Sequence, residues 1–447
     1  MTDLPTGWAW TTLGEICEQR YGKALPADRR GDSFDIPVVG SAGVMSSTTS
    51  PLVSEPCIIV GRKGNAGAVQ VFEVPTWPID TVFYLPVPRC LDINFLAYQI
   101  AAANLGQYSS STATPSLRRE DLTSLKLAIA PLEEQRRIVA ALEDHLSRVE
   151  AGVESVRRGW QRVDALIRQV LREAIPIPGP EHWRRAAVSE AGSVELGRQR
   201  HPDWHSGPNM RPYLRVANVF EGRIDTSDVM EMDFPPDVFE KFRLAEGDIL
   251  LNEGQSPELL GRPAMYRGEL GEVAFTNSLL RFRSNSNVDP EWALLVFRRH
   301  MRSRRYLRDM RITTNIAHLS AGRFKKVEFP IPPMSEQKKI VQQVHGQLAA
   351  VDRLAADLKK TARQANHLRQ SLLREAFSGR LVEQDPRDEP ASALLERIWA
   401  ARANAPKVRR RRKKQVKAAE PVREIPADRP LPEQMGKGTQ EAFDLGL

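Results

Sequence analysis

The sequence predicts an α+β fold with two globular units. Each unit would contain a twisted, partly barrel-like sheet, and two long antiparallel coiled-coil helices would separate the units with pseudo-two-fold symmetry. Two observations support this class. A long helical pattern occurs twice, at residues 131–175 and 333–377, and the segment before each copy contains short apolar runs punctuated by glycine and proline. A length of 447 residues is enough for about three domains.

The duplicated helix is the strongest pattern in the chain. The two copies align without a gap, and 12 of the 45 aligned positions are identical. So long an offset between copies indicates two similar units in tandem rather than a solenoid. Apolar residues recur at alternating spacings of four and three, which predicts a coiled-coil seam. The predicted seam residues are Leu142, Leu146, Val149, Val153, Val156, Val163, Val344, Leu348, Val351 and Leu358.

Changes of composition divide the chain into six segments. The predicted segments are a first globular unit at 1–130, a spacer helix at 131–175, a second globular unit at 176–332, a spacer helix at 333–378, a C-terminal segment with a short amphipathic helix at 379–403, and a basic tail at 404–447. Both globular units share an order of features: a tryptophan, a glycine turn before a cation, an extended apolar run, and a strand–loop–strand pattern rich in glycine.

The formal net charge is +8, a sign that fits a polyanionic partner. Much of this charge lies in the tail, which holds 11 basic and 6 acidic residues and reads as disordered. The tail can contact DNA phosphates without specificity or serve only as a solubilising end. Its sequence favours the second interpretation slightly.

Cysteine usage and hydropathy predict a cytoplasmic protein. Cys17, Cys57 and Cys90 show no CxxC spacing, so buried free thiols are expected rather than zinc ligands or disulfides. Residues 1–10 lack the charged and then apolar pattern of a signal sequence. No apolar run approaches the roughly 20 residues of a membrane helix, so no membrane partner is expected.

The sequence carries no catalytic signature. It lacks a nucleophile elbow, an HExxH pair, a P-loop and a dinucleotide fingerprint. Glu336-Gln337-Lys338 matches half of a nuclease metal motif, but it lies in the first turn of a spacer helix, where helix capping explains it better. We therefore expect a chain without enzymatic activity, metal or cofactor of its own.

Candidate DNA contacts lie in loops and in one basic helix. The loop at 61–65 combines glycines with two cations and suits a phosphate or a base edge, although an ordinary hairpin turn is about as probable. The polar loops at 108–114 and 310–315 offer hydroxyl and amide groups, and a solvated loop is again an equal alternative. The candidates are Gly40, Ser41, Arg62, Lys63, Asn65, Ser110, Thr112, Thr114, Arg198, Arg215, Asn218, Asn252, Arg302, Arg305, Arg311, Thr314 and Asn315.

The pattern resembles one family, the DNA specificity subunits of type I restriction–modification systems. The resemblance covers residues 1 to about 403. It rests on the two-unit organisation, on the PLxEQxxIV-like helix starts at Pro131 and Pro333, on LLREAFSGRLV at 372–382, and on the Asp-Glu-Pro-Ala run at 388–391. The segment Tyr213-Leu214-Arg215-Val216-Ala217-Asn218 looks like a recurring part of the family's recognition domains. The first helix departs from the pattern, because it runs into Ile175-Pro176 instead of Phe-Ser-Gly.

The resemblance implies a non-catalytic reader of double-stranded DNA. Each globular unit would be a target-recognition domain that reads half of a bipartite asymmetric site. The helices would set the gap and bind two methyltransferase (modification) subunits, which bring S-adenosylmethionine. A restriction subunit that translocates DNA would bring ATP and Mg. Three alternatives remain open: a catalytic nuclease–methylase fusion, a coiled-coil scaffold, and a free-standing DNA-binding regulator.

Overall fold

The computed structural model describes residues 4–108, 116–308 and 317–404. Contacts divide the chain into two compact units: unit 1 comprises residues 1–155 and 361–447, and unit 2 comprises residues 156–360. Each long helix therefore begins in one unit and ends in the other. The division into two units places part of each long helix in each unit, so it does not test the six segments predicted from the sequence, and these stay a prediction.

The first half of the chain alternates short strands with short helices before a helix of 43 residues. Its elements are β1 Ala9–Thr12, α1 Leu13–Ile16, β2 Arg20–Tyr21, β3 Ile36–Gly40, β4 Gly43–Thr48, β5 Cys57–Gly61, β6 Val69–Phe72, β7 Trp77–Pro78, β8 Val82–Pro86, α2 Ile93–Ala102, α3 Arg119–Thr123, β9 Lys126–Ile129 and α4 Leu132–Ala174.

The second half repeats this order with additional elements and adds a final helix. Its elements are β10 Arg184–Ala187, α5 Val188–Ala191, β11 Gly192–Leu196, β12 Met210–Leu214, β13 Val219–Phe220, β14 Arg223–Ile224, β15 Met230–Asp233, α6 Pro236–Phe242, β16 Ile249–Asn252, β17 Gly254–Gln255, β18 Pro263–Met265, β19 Ala274–Phe275, β20 Leu279–Ser284, α7 Pro290–Arg302, β21 Ala317–His318, α8 Ala321–Phe324, β22 Glu328–Ile331, α9 Met334–Phe377 and α10 Ala391–Asn404. The additional elements are β13, β14, α6, β17 and β21.

The main sheets of the two units have the same topology. Unit 1 orders its four-stranded sheet β2-β8-β5-β6, and unit 2 orders the corresponding strands β11-β20-β16-β18. A three-stranded sheet accompanies each, ordered β4-β3-β7 in unit 1 and β15-β12-β19 in unit 2, with one parallel pair in each. The predicted α+β class is confirmed. The sheets formed by the described strands are open, however, because β2 and β6 remain edge strands instead of closing a barrel.

Unit 2 differs from unit 1 between two equivalent strands. In unit 1 the strands β3 and β4 are joined by a short turn at residues 41–42. In unit 2 the connection from β12 to β15 runs over residues 215–229 and contains the β13–β14 hairpin. The two units therefore present different backbones at one matching place.

A Glu-Gln pair joins the first turn of each long helix to its unit. In unit 1 the indole nitrogen of Trp8 donates to Glu134 over 3.0 Å, and the backbone N–H of Asp92 donates to Gln135 over 3.0 Å. Gln135 also donates to the backbone oxygen of Ala130. Glu134 and Gln135 therefore attach the first turn of α4 to the globular unit.

Unit 2 repeats this joint. The indole of Trp183 donates to Glu336 over 3.0 Å, and the backbone N–H of Asp289 donates to Gln337 over 2.8 Å. The amide of Gln337 also donates to the backbone oxygen of Pro332. The Glu-Gln motif that sequence reasoning assigned to capping therefore attaches each helix to the domain that precedes it.

Within each unit the two long helices pack in antiparallel fashion. In unit 2 the C-terminal part of α4, through Ile167 and Leu171, shares a core with Val344 and Leu348 near the start of α9. In unit 1 the start of α4, through Leu142, shares a core with the end of α9. The structure buries Leu142, Leu146, Val156, Val163, Val344, Leu348 and Val351, and it leaves Val149, Val153 and Leu358 partly exposed.

None of the described helices has the length and the apolar character that crossing a membrane would require. The predicted short amphipathic helix corresponds to α10, whose Leu394, Leu395 and Ile398 are buried in the core of unit 1.

Candidate nucleic-acid interface

The glycine-rich loop of unit 1 is a tight reversal between β5 and β6. Gly61 donates to the backbone oxygen of Ala68 over 2.8 Å, and Gly67 donates back to Gly61 over 2.9 Å. A Cβ atom at Gly61 would lie 2.0 Å from the oxygen of Asn65, so no other residue fits there. The loop therefore holds Lys63 and Asn65 exposed at its tip.

Three further segments of unit 1 meet this loop. The backbone N–H of Leu117 donates to the backbone oxygen of Arg62 over 2.9 Å, which places the loop beside the segment that begins at residue 116 and leads to α3. A Cβ atom built on Gly64 would lie 3.5 Å from the hydroxyl of Ser41. The guanidinium of Arg62 lies 5.3 Å from the ring centroid of Tyr21. The sequence candidates Ser41, Arg62 and Lys63 thus come together on one surface.

The surface of unit 1 combines cations with an exposed aromatic ring. Tyr21 is 48% exposed and lies between the guanidinium groups of Arg62 and Arg119, the second at 6.0 Å. Arg62 also donates to the backbone oxygen of Asp80 over 2.8 Å, a bond that orients the guanidinium without neutralising it. Arginine, lysine and an exposed ring suit the phosphates and bases of DNA.

Unit 2 repeats the same backbone frame. Asn252 donates to the oxygen of Arg262 over 3.2 Å, and Gly261 donates to the oxygen of Asn252 over 3.1 Å. The backbone N–H of Leu319 donates to the backbone oxygen of Glu253 over 2.7 Å. These bonds match those of the unit 1 loop one for one, so Asn252 corresponds to Gly61 and Glu253 to Arg62.

The side chains on this shared frame differ between the units. Where unit 1 has Arg62, unit 2 has Glu253, whose carboxylate lies 3.2 Å from Nδ1 of His318. Gln255 follows on β17, and Leu196, 46% exposed, takes the place of Tyr21. Sequence reasoning missed these four residues and Tyr21, because only the strand pairing shows that they adjoin the loop.

Two candidate DNA contacts of unit 2, Arg198 and Asn218, make contacts within the unit. Arg198 is 8% exposed and lies over the ring of Trp204 at 4.0 Å and that of Phe234 at 4.7 Å. Asn218 is 2% exposed and donates to the backbone oxygens of Asp225 and Asp228. Both side chains stabilise loops, so the structure does not bring them to the candidate interface.

Two candidate cations at the basic helix also pair with acids within unit 2. Arg302 donates to Glu221 and to Asp164, each over 2.6 Å, and Arg305 forms a bidentate pair with Glu328. Arg215 pairs with Asp228. The sequence shows the cations but gives no sign of acidic partners that lie far away along the chain.

Asn252 occupies an unusual position. Its side chain is fully buried at the end of β16, and neither its amide nitrogen nor its oxygen has a hydrogen-bond partner. Gly40, another candidate, is buried beside Ser41 and accepts a hydrogen bond from Gln70. The candidates Ser110, Thr112, Thr114, Arg311, Thr314 and Asn315 lie outside the described residues.

No group of three histidine, cysteine or acidic side chains could hold a metal ion in the part of the chain that the structure describes. Burial raises the pKa of Cys17 and of Cys57 to about 12, so neither thiol forms a nucleophilic thiolate near neutral pH.

Known proteins resemble this chain over most of its length. The family model described as type I restriction modification DNA specificity domain matches residues 5–154 and 226–364. The EcoKI specificity subunit of Escherichia coli strain K12 is 24% identical over 302 residues, which cover 62% of this chain and 64% of that protein, slightly less than two thirds of its length. The EcoDI specificity subunit of Escherichia coli is 22% identical over 445 residues, covering 90% and 96%.

A solved structure shares the fold. It comes from work on complex assembly and conformational transition of the type I R-M system, and it covers 85% of this chain and 100% of its own. The TM-score is 0.63 at 20% sequence identity. A likeness at this identity shows a common architecture.

Proposed function

Because this chain belongs to the family of type I restriction modification DNA specificity domains, we propose that it reads a bipartite, asymmetric site on double-stranded DNA. Each unit reads one half of the site. The sequence resemblance to these specificity subunits is confirmed, and catalytic activity belongs to other subunits of such systems. The reading of two half-sites is the further step proposed here.

The observation that carries this proposal is the repeated frame with unlike side chains. Both units place a tight loop after the equivalent strands β5 and β16, and both tie that loop to the segment before the last strand. The side chains on this frame differ: unit 1 has the partly exposed Arg62 and the exposed Lys63, and unit 2 has Glu253 and Gln255, both partly exposed. One frame with two side-chain sets suits two different base sequences.

These side chains have the donor and acceptor patterns that base reading needs. Arginine and lysine donate to O6 and N7 of guanine, glutamine pairs with adenine in two bonds, and glutamate accepts from N4 of cytosine. We infer that Arg62, Lys63 and Asn65 contact the bases of the half-site bound by unit 1. Glu253, Gln255 and His318 contact those of the half-site bound by unit 2. Lys63, exposed at the loop tip, can also bind phosphate.

We further propose that the long helices bind two methyltransferase subunits, and that a restriction subunit joins the complex. The repeat supports two equivalent partners. Leu166 on α4 and Leu368 on α9 occupy matching places in the two copies, and they are 40% and 51% exposed. S-adenosylmethionine would come with the methyltransferase subunits, and ATP and Mg with the restriction subunit.

Reconstitution with a cognate type I methyltransferase subunit tests the proposal. The pair should methylate adenines at one bipartite sequence, and the chain alone should transfer no methyl groups and hydrolyse no ATP. Mapping of methylated positions in genomic DNA gives the readout. A free-standing regulator would bind DNA without supporting methylation, a scaffold would do neither, and either result would contradict the proposal.

The two exposed leucines give a sharper test of partner binding. Leu166→Asp together with Leu368→Asp should leave the melting temperature unchanged and reduce methyltransferase binding at least tenfold. Ala165→Asp with His367→Asp, at exposed neighbouring positions, is the matched control for added charge. Equal binding by the leucine variant and the control would show that the partners dock elsewhere.

A further inference from the structure

The β3–β4 hairpin of unit 1 ends in two exposed apolar side chains. Val44 is 62% exposed and Met45 is 54% exposed, and both follow the short turn at residues 41–42. Gly43 takes a φ of 116°, which favours glycine and gives the turn its sharp reversal. Neither apolar side chain is needed to fill the core of unit 1, so their exposure requires another explanation.

This tip adjoins the candidate interface. A Cβ atom on Gly40 would lie 3.5 Å from Sδ of Met45, and one on Gly64 would lie 3.5 Å from the hydroxyl of Ser41. The apolar tip therefore lies beside the loop that carries Lys63. The backbone oxygen of Asp80 accepts a hydrogen bond from the guanidinium of Arg62 in this loop.

The shape and charge of the surface select the occupant. A two-stranded β-ribbon fits the major groove of B-DNA, and β4 is an edge strand that leaves the β3–β4 ribbon accessible on one side. Lys63 supplies positive charge for a flanking phosphate. Within the groove, the 5-methyl group of thymine is the apolar feature that distinguishes one base pair from the others.

We propose that Val44 and Met45 read thymine methyl groups in the half-site bound by unit 1. This inference rests on the proposed function and names the base contact for one of its surfaces. The equivalent strands of unit 2 are joined by residues 215–229 and not by a short turn, so the same contact is confined to one half of the site.

The test combines changes on both molecules. Val44→Ala with Met45→Ala removes the apolar tip, and uracil in place of thymine removes the methyl group while base pairing is kept. Affinity is measured by fluorescence anisotropy with the complete methyltransferase complex on duplexes that carry the mapped site. Val74→Ala, a 54% exposed apolar residue elsewhere in unit 1, is the control.

The wild-type complex should lose about fourfold in affinity for each contacted methyl group that uracil removes from the unit 1 half-site. The double variant should bind thymine DNA more weakly by a similar factor and lose nothing further on uracil DNA. Uracil in the other half-site should have the same effect on the wild type and on the double variant. Both alanine changes are at exposed positions, so the melting temperature should match that of the control.

Three results would overturn the inference alone while site-specific binding persists: equal uracil sensitivity in wild type and double variant, a unit 1 half-site without thymine, or a double variant that loses only methyltransferase binding. The last result would make the tip a protein contact. Absence of any site-specific binding to thymine DNA would instead overturn the proposed function, and this inference with it.

Discussion

At the residue scale, the Glu-Gln pairs show how a short motif acquires a structural role. Glu134 is 1% exposed and accepts from the indole of Trp8. Burial raises the pKa of Glu134 above 4.5, although the hydrogen bond from Trp8 and the charge of Arg137 oppose that shift. A raised pKa in the folded state means that the carboxylate costs stability at neutral pH, and that this cost vanishes below pH 4.5, where the folded and unfolded states are both protonated.

The first prediction follows from this balance. Glu134→Gln should keep the bond to Trp8 without the charge, so its melting temperature at neutral pH should equal or exceed that of the wild type. The difference should shrink as the pH falls below 4.5. Glu134→Ala should lose about 1–3 kcal/mol, because the buried indole N–H is left without an acceptor. Thermal denaturation followed by circular dichroism measures both.

Glu133→Gln, in the same turn but exposed, is the control and should change stability little. If Glu134→Gln and Glu134→Ala were equally destabilised at neutral pH, the negative charge itself would be required at this joint. The role assigned to hydrogen bonding would then be wrong.

The sequence shows which candidate side chains share a local turn but not which cations have distant acidic partners, for a physical reason. Local composition identified Ser41, Arg62 and Lys63, and the structure brings them together because they share one glycine-rich turn and its neighbours. It could not show that Arg302 is neutralised, since Asp164 lies 138 residues away along the chain. Long-range pairing decides whether a cation is available to a ligand.

At the element scale, an ion-pair network fastens the β13–β14 hairpin to two helices of unit 2. Glu221 accepts from Arg298 and Arg302 of α7, and Arg302 also donates to Asp164 of α4. Burial alone would raise the pKa of Glu221, but the two guanidinium groups outweigh it and hold the pKa below 4.5. The resulting stabilisation is present above pH 4.5 and is lost as the pH falls through the lowered pKa.

The second prediction is that Glu221→Ala costs about 3–5 kcal/mol at neutral pH, because it leaves the largely buried Arg298 without its carboxylate partner and leaves Arg302 paired with Asp164 alone. The loss should diminish in acid, as the wild type protonates Glu221 and gives up the same stabilisation. Urea denaturation across a pH series measures this. The control is Glu240→Ala, which removes an exposed acid of α6 and should cost less than about 0.5 kcal/mol. A similar loss of stability in both variants would mean that the ion pairs of Glu221 do not stabilise unit 2.

The long helices depend on their seam. Leu146 and Leu348 are 6% and 5% exposed, whereas Leu368 is 51% exposed on the same pair of helices. The third prediction is that Leu146→Ala and Leu348→Ala each lower the free energy of unfolding by about 2–5 kcal/mol. Leu368→Ala is the matched control and should have little effect. Comparable losses at all three positions would contradict the burial pattern.

Element order was more predictable than individual contacts. The repeated period of the helices identified them because a seam must be apolar along its whole length. Short strands and glycine turns indicated the sheet-rich units for a similar reason. The β13–β14 insertion escaped notice, since strands of two residues are too short to show a period. The order of the strands in each sheet depends on pairing between strands that are distant in sequence, so the sequence alone did not reveal it.

At the scale of the whole molecule, each long helix begins in one unit and ends in the other, and the division falls beside Val156 and near Leu358. The fourth prediction is that four residues inserted after each of these positions lengthen the gap between the half-sites by one or more base pairs. The half-site sequences should stay the same, because the loops are untouched. Methylation mapping with the reconstituted complex measures the gap, and a fixed gap with altered half-sites would refute the spacer role.

The central claim is that two independent surfaces read two halves of one DNA site. Its most direct test is methylation mapping of genomic DNA with two separate variants, Lys63→Ala in unit 1 and Gln255→Ala in unit 2. The account predicts that Lys63→Ala weakens or relaxes recognition of one half-site only, and that Gln255→Ala affects only the other. If either variant altered both halves, or if the mapped site were a single continuous sequence, the two-reader account would be contradicted.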